Sequence, residues 1–165
     1  VSLAGLLRLR PRRRPVGEAA TSVIAPWLMV GPALSPPGYA SLKSAGVTHV
    51  IDLREEGMDD FQTLHWLGFR WWHLPVRDHR PPTAAQVDSL VTWLAQQALP
   101  EMIVYLHCDA GRGRAPTVAI ALLMLEGMPF QRAYDGVRRW HSESMLTDSQ
   151  VAWLREDALV VAPPA

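Results

Sequence analysis

Cysteine is almost absent: Cys108 is the only one in 165 residues. A single thiol excludes an intramolecular disulfide, a cysteine-based zinc cluster and any relay in which a second cysteine resolves the first. It predicts a reducing compartment, and the cytoplasm is the expected location. Lysine is equally scarce. Lys43 stands alone, so 15 of the 16 basic residues are arginine. The formal net charge is zero, but the balance is uneven. Arg8, Arg10, Arg12, Arg13 and Arg14 crowd one end, and without those five 11 basic groups face 16 acidic ones, net −5. A basic block confined to one end argues against a nucleic-acid partner. The apolar stretch before it, Val1 to Leu7, is far too short to span a bilayer and has the wrong order for a secretory signal. Membrane-surface contact through Arg8–Arg14 could follow from an apolar tip beside a cationic cluster, but a block of like charge reads first as a solvated arm. No metal-ligand spacing stands out among the six histidines, and neither metal nor cofactor is expected. There is no internal repeat.

A hydrophobic content of 48% with 19% charged residues suits one globular domain with a real core. The expected division is a basic arm over 1–20, a domain over 21–159 and a tail over 160–165, in a monomer. Trp66, Trp71, Trp72, Trp93, Trp140 and Trp153 fall in apolar-patterned segments and are expected to pack. Periodicity predicts strands over Trp27–Val30, Thr48–Leu53, Phe69–Leu74 and Met102–His107. Helices are predicted over Pro37–Ala45, Asp59–Leu67, Thr83–Ala98, Pro116–Glu126, Pro129–His141 and Thr147–Asp157. Thr83 is placed as an N-cap with Gln86 completing a capping box, and Thr147 caps the last helix. Strands separated by helices predict an α/β sandwich.

The chemistry concentrates at His107-Cys108-Asp109-Ala110-Gly111-Arg112-Gly113-Arg114. A thiol ends a strand, a glycine loop follows, and an arginine opens a helix. Backbone N–H groups of such a loop can form an anion nest, and the helix N-terminus adds its dipole. Arg114 can fork two donors onto phosphate oxygens. The same positive field favours the Cys108 thiolate, the reactive form. An arginine six places after any given residue has about a one-in-eleven chance here, so the spacing alone is weak. The histidine before the cysteine, the two glycines and the strand–loop–helix setting carry the reading. The bland alternative is an inert buried cysteine.

These residues resemble the phosphate loop of the cysteine-dependent protein tyrosine phosphatase superfamily, dual-specificity branch. Its His-Cys-x5-Arg pattern matches His107, Cys108 and Arg114. Trp27–Pro32 resembles the family's opening strand, and Leu42–Arg54 its next helix end, turn and strand. The resemblance covers about residues 22–158. It implies a central mixed β-sheet flanked by helices, and hydrolysis of phosphomonoesters through a phosphocysteine on Cys108. It implies that Arg114 and the backbone of Asp109, Ala110, Gly111, Arg112 and Gly113 bind phosphate. His107 then faces away from substrate and steadies the loop.

Cleavage of a phosphate ester also needs a proton for the leaving oxygen, which neither thiolate nor arginine supplies. The family places an aspartate in a loop before the helix that precedes the nucleophile strand. By that resemblance Asp78, in Pro75–Pro82, is the general acid and then the base. Read alone, Asp78 suits a turn between prolines. His79 is a weaker candidate. Asp52 and Arg54 are expected to form an ion pair or turn contact, and Glu55 and Glu56 a solvated turn. The family usually has Ser or Thr directly after the loop arginine. Ala115 stands here, and Thr117 carries the next hydroxyl.

Phosphotyrosine, phosphoserine and phosphothreonine in proteins are the default substrates. The loop also resembles those of inositol-lipid and glucan phosphatases. Arg112 suits a multiply charged head group and Asp109 opposes it. Two other classes remain open. One is a sulfurtransferase-like enzyme carrying persulfide on Cys108. The other is a phosphate-binding module without turnover, with Ala115 as its sign.

Overall fold

A computed structural model describes residues 21–158. Both expected ends lie outside the described residues, including the arginine cluster and any membrane contact it makes. Five strands form one sheet: β1 (Ser22–Ala25), β2 (Leu28–Gly31), β3 (His49–Arg54), β4 (Arg70–Val76) and β5 (Val104–His107). Their spatial order is β1-β2-β5-β3-β4. β1 runs antiparallel to β2, and every other neighbour pair is parallel. The sheet is mixed, as expected.

Among the described residues six helices accompany it: α1 (Pro36–Ser44), α2 (Phe61–Trp66), α3 (Ala84–Gln96), α4 (Arg114–Leu125), α5 (Phe130–Trp140) and α6 (Asp148–Glu156). Alternating strand residues face opposite layers. Leu28, Val30, Ile51, Leu53, Val104 and Leu106 pack with α3, α4, α5 and α6. Met29, Val50 and Tyr105 pack with Tyr39, Leu42 and Leu64 from α1 and α2. The two apolar layers make the sandwich that strand–helix alternation predicts.

The central position of β5 matters most. β2 and β3 flank it, and all four of its residues are buried. α4 is almost wholly buried, Arg114 through Met124. A strand and a helix that are apolar all round hold the intervening loop rigidly. That loop lies at the carboxyl ends of parallel strands, where open α/β sheets bind ligands.

Most predicted boundaries agree within two residues. β1 is the exception, because no strand is predicted there. Its four residues Ser-Val-Ile-Ala are too few to show a period, and a turn at Pro26–Trp27 folds them onto β2. α4 starts two residues before the predicted Pro116, because the loop after β5 runs straight into it with Gly113 at the N-cap. Pro116 falls in the first turn, where no N–H partner is lost. The Thr83–Gln86 capping box is present, and Thr147–Gln150 forms a second one. Not every tryptophan packs. Trp66 is 87% exposed and Trp140 is 42% exposed, since both sit at the last, outward positions of short helices. Among the described residues no helix is long and apolar enough to cross a membrane.

Candidate active site

Cys108 follows the last residue of β5 and is buried. The loop after it turns carbonyls away from the centre, and those of Cys108, Asp109, Gly111, Arg112 and Gly113 have partners there. Asp109 O accepts from Ala33 N at 3.0 Å, and Arg112 O from Met145 N at 2.7 Å. Gly111 O accepts from His141 Nε2 at 2.7 Å. Gly113 O accepts from Thr117 N at 3.0 Å and Thr117 Oγ1 at 2.8 Å. The His107 ring faces Cys108 O at 3.1 Å. A trans peptide points its N–H opposite its carbonyl. The N–H groups of Asp109, Ala110, Arg112, Gly113 and Arg114 therefore turn inward, the nest that the motif predicts.

Gly111 makes this shape possible. Its φ is +71°, and a Cβ there would lie 2.5 Å from the Gly31 carbonyl carbon and 2.8 Å from Pro32 N. No other residue combines that backbone angle with that clearance. The same neighbouring segment supplies the Ala33 donor, so β2 and its following loop form one wall of the nest.

Arg114 is the first residue of α4 and is buried. Its terminal nitrogens clasp the carboxylate of Glu56 at 2.7 and 2.6 Å. Nη1 also donates to Val76 O at 3.1 Å, and Nη2 lies 3.3 Å from Asp78 Oδ1. Nε, by contrast, is buried without a partner among the described residues. An orphaned buried donor is costly, so its position suits an acceptor such as a bound anion. Burial works most strongly against the Arg114 cation, but the Glu56 hydrogen bonds together with the nearby Cys108, Glu56 and Asp78 reverse it and raise its pKa above the ordinary value. The same hydrogen bonds lower the Glu56 carboxyl to about 2.

Glu56 is not the solvated turn residue that the sequence predicts. It follows β3, whose carboxyl end lies beside that of β5. The signal was available: an acidic pair directly after a strand that ends at the same sheet edge as the cysteine. Adjacency of β3 and β5 decides it, and adjacency is not written in the sequence.

Behind the nest, His107 is fully buried. Its Nε2 lies 2.7 Å from Asp59 Oδ2, and Tyr39 Oη donates to Asp59 Oδ1 at 2.7 Å. Burial and the Asp59 charge push the Tyr39 phenol far up, so it stays a donor. Arg54 bridges Asp52 and Asp59 at 2.8 and 3.0 Å, the ion pair expected of Asp52 and Arg54. Burial alone would raise the Asp52 carboxyl. Hydrogen bonds from Arg54 and the nearby His107 reverse that and hold it below the ordinary range. Asp52, Asp59 and His107 are close enough together to suggest metal ligands. Their oxygens, however, are committed: Asp52 Oδ1 takes Arg54 N and Nε, and Oδ2 takes Arg54 Nη2 and Asp59 N. The cluster fits a hydrogen-bonded support for His107 better than a cation site.

Asp78 sits on the loop between β4 and α3, with its side chain 58% exposed. His79 N donates to Asp78 Oδ1 at 2.9 Å, and the His79 ring lies 3.4 Å from Oδ2. Asp78, His79, Cys108, Gly113 and Arg114 share one cleft of about 470 Å³. Asp109, Ala110 and Arg112 stand exposed on its rim, and Met145, Leu146 and Thr147 also line it. Nucleophile candidate, acid candidate and candidate phosphate-binding arginine thus converge. Thr117 does not serve as the missing hydroxyl, because its Oγ1 is spent on Gly113 O.

Residues 31–159 match the family described as "PTP-SAK: Swiss Army Knife protein, DSP-PTPase phosphatase domain". The chain belongs to this family. A DSP-PTPase domain is a cysteine-dependent phosphatase, which agrees with the site built above. Phosphatidylglycerophosphate phosphatase PTPMT2 of Arabidopsis thaliana is 28% identical over 141 residues, 83% of this chain and 62% of that protein. Dual specificity protein phosphatase 12 of Mus musculus is 28% identical over 150 residues, 87% of this chain and 43% of that one. The chain therefore spans about half the length of these curated relatives. Among solved structures, Tk-PTP in the active form superposes with a TM-score of 0.75 at 23% identity, over 84% of this chain and 95% of that one. PTPMT1 in complex with PI(5)P gives 0.74 at 22% identity, over 86% and 96%. These two likenesses establish the DSP-PTPase fold.

Proposed function

We propose that this DSP-PTPase domain hydrolyses phosphomonoesters in two steps, with Cys108 as nucleophile, Arg114 as phosphate clamp and Asp78 as general acid and base. The observation that carries it is the buried, unpartnered Arg114 Nε beside an inward-facing N–H nest. Both features ask for an anion with several oxygens, and Cys108 lines the same cleft.

In the first step Cys108 Sγ attacks phosphorus in line with the ester oxygen. The S–P bond forms as the P–O bond breaks, and Asp78 gives its proton to the departing oxygen. The loop N–H groups and Arg114 hold the three equatorial oxygens, where charge spreads in the transition state. In the second step water attacks phosphorus, Asp78 takes its proton, and Cys108 leaves as thiolate. Glu56 holds the guanidinium plane, leaving Nε free for phosphate. His107 works behind the loop and touches no substrate.

Phosphorylated protein is the default substrate, supported by the similarity to dual specificity protein phosphatase 12. A second reading is a phosphorylated lipid or inositol phosphate. Arg112 is 56% exposed and only loosely paired, 3.7 Å from Glu143. Met145, 69% exposed, lines the same cleft. A cation beside an apolar side chain suits the head group of an amphiphile. PTPMT2 and the PI(5)P complex of PTPMT1 support this reading.

The test is hydrolysis of an aryl phosphate from pH 5 to 8, without metal, by wild type, Cys108→Ser and Asp78→Asn. A bell-shaped rate that the first change abolishes and the second strips of its acid-dependent part is expected. Turnover indifferent to Cys108→Ser overturns the proposal. Thiosulfate-to-cyanide sulfur transfer without phosphatase activity would favour a persulfide carrier instead. Phosphopeptides and phosphoinositides, compared by kcat/KM on the active protein, then separate the two substrate classes.

A further inference from the structure

The loop that carries Asp78 leaves the sheet at Val76 and rejoins a helix at Ala84. Its tip holds an unfavourable backbone: His79 has φ +58°, left-handed for a residue with a Cβ. One internal bond, Arg80 N to Arg77 O at 3.1 Å, closes the turn, but an outside hold must impose the tip's position.

α6 imposes it, through residues already engaged in capping that helix. Thr147 Oγ1 donates to His79 O at 3.1 Å, with Ser149 Oγ 3.4 Å from the same oxygen. Gln150 Nε2 donates to Arg80 O at 3.2 Å. Gln150 Oε1 meanwhile accepts from Thr147 N at 2.9 Å, and its backbone N–H bonds Thr147 Oγ1. This glutamine has no exposed surface. It also lies flush against the phosphate loop. A Cβ built on Gly113 would come 3.3 Å from Gln150 Oε1 and 3.4 Å from Nε2. One buried amide therefore touches the acid loop, the cap of α6 and the last residue before Arg114.

The other capping-box glutamine makes a useful contrast. Gln86 Nε2 donates to Pro75 O at 2.6 Å, where the chain is still in β4. Sheet pairing already fixes that end. The tip has no such ladder, so its anchor on α6 governs where Asp78 stands.

We propose that Gln150 is a positioning residue for the general acid, holding the Asp78 loop at a set distance from the phosphate loop. This rests on Asp78 as the proton donor. A displaced acid harms a reaction in proportion to how much the leaving oxygen needs a proton. Phenolate needs one far more than the acidic nitrophenolate. A residue that only stabilises the fold would slow both equally.

The experiment compares phenyl phosphate with p-nitrophenyl phosphate for wild type, Gln150→Ala, Gln150→Glu, Asp78→Asn and the Gln150→Ala/Asp78→Asn double variant. Gln150→Glu keeps the length and the capping oxygen while placing an oxygen against Arg80 O, so it carries the test if Gln150→Ala does not fold. Iodoacetamide alkylation of Cys108 is followed in parallel. Each Gln150 change is expected to cut kcat/KM for phenyl phosphate about 10-fold, part of the roughly 10²–10⁴ that a general acid supplies, and for p-nitrophenyl phosphate less than about 3-fold. Alkylation should be unchanged, and the double variant should match Asp78→Asn alone. Equal losses on both substrates, a slowed alkylation, or a further selective loss in the Asp78→Asn background would overturn the inference. If Asp78→Asn itself shows no leaving-group selectivity, the acid assignment fails first, which is a distinct result.

Discussion

Glu56 grips both terminal nitrogens of Arg114, at 2.6 and 2.7 Å, and leaves Nε as a buried donor without a partner among the described residues. The pair splits the guanidinium into an anchored edge and an offered edge. Arginine can do this because its fork is planar and always charged. Glu56→Gln keeps one acceptor and loses the bidentate clasp. A fall in kcat/KM of about 10²-fold is expected, the scale of losing one preorganised donor. Thermal unfolding should move little, since the Glu56 side chain is half exposed and its pair is screened. Steady-state kinetics with an aryl phosphate, alongside a thermal melt, checks both parts.

Ala115 offers no hydroxyl to the departing sulfur, and Thr117 is occupied elsewhere. Breakdown of a phosphocysteine should then limit turnover. Rapid mixing with p-nitrophenyl phosphate is expected to show a burst of nitrophenol equal to the enzyme present. Ala115→Ser should raise kcat about 10-fold with kcat/KM unchanged, because kcat/KM ends at the first irreversible step. A wild type without a burst contradicts this.

Gly111→Ala should collapse the nest. The new methyl meets the Gly31–Pro32 backbone at a φ of +71°. The backbone strain costs about 1–2 kcal/mol before any clash is counted. Loss of phosphate affinity is expected beyond the loss of stability. Isothermal titration with inorganic phosphate, on folded protein, separates the two.

Stability should fall on mild acidification because of His49. Its ring is buried, bonded to Gln97 O, and burial lowers its pKa to about 4. The unfolded chain takes up the proton near pH 6.5 while the folded chain resists it, so the contribution is complete above pH 6.5 and is lost as pH falls towards 4. The loss is at most about 3 kcal/mol. Glu56 adds a smaller decline, present above pH 4.5 and lost as pH falls through about 2. Urea melts at pH 7 and pH 4.5 should differ, and His49→Gln should narrow the gap.

Much of this protein is legible in its sequence. Cys108, two glycines and Arg114 between an apolar strand and an apolar helix specify a tight strand–loop–helix turn, because the geometry needed is local and each residue type does one thing there. Capping pairs such as Thr83 with Gln86 are equally local. β1 was not legible, since four residues carry no period and only pairing with β2 makes them a strand. Nor were the roles of Glu56, His141 and Gln150. Each lies tens of residues from its partner, and as free side chains they look like turn, helix end and cap. The order β2-β5-β3 brings Glu56 onto Arg114, and the packing of α6 brings Gln150 between the two loops. Local chemistry determined which residues can react. Strand order and helix packing, set by burying two apolar layers, decided which residues hold them in place.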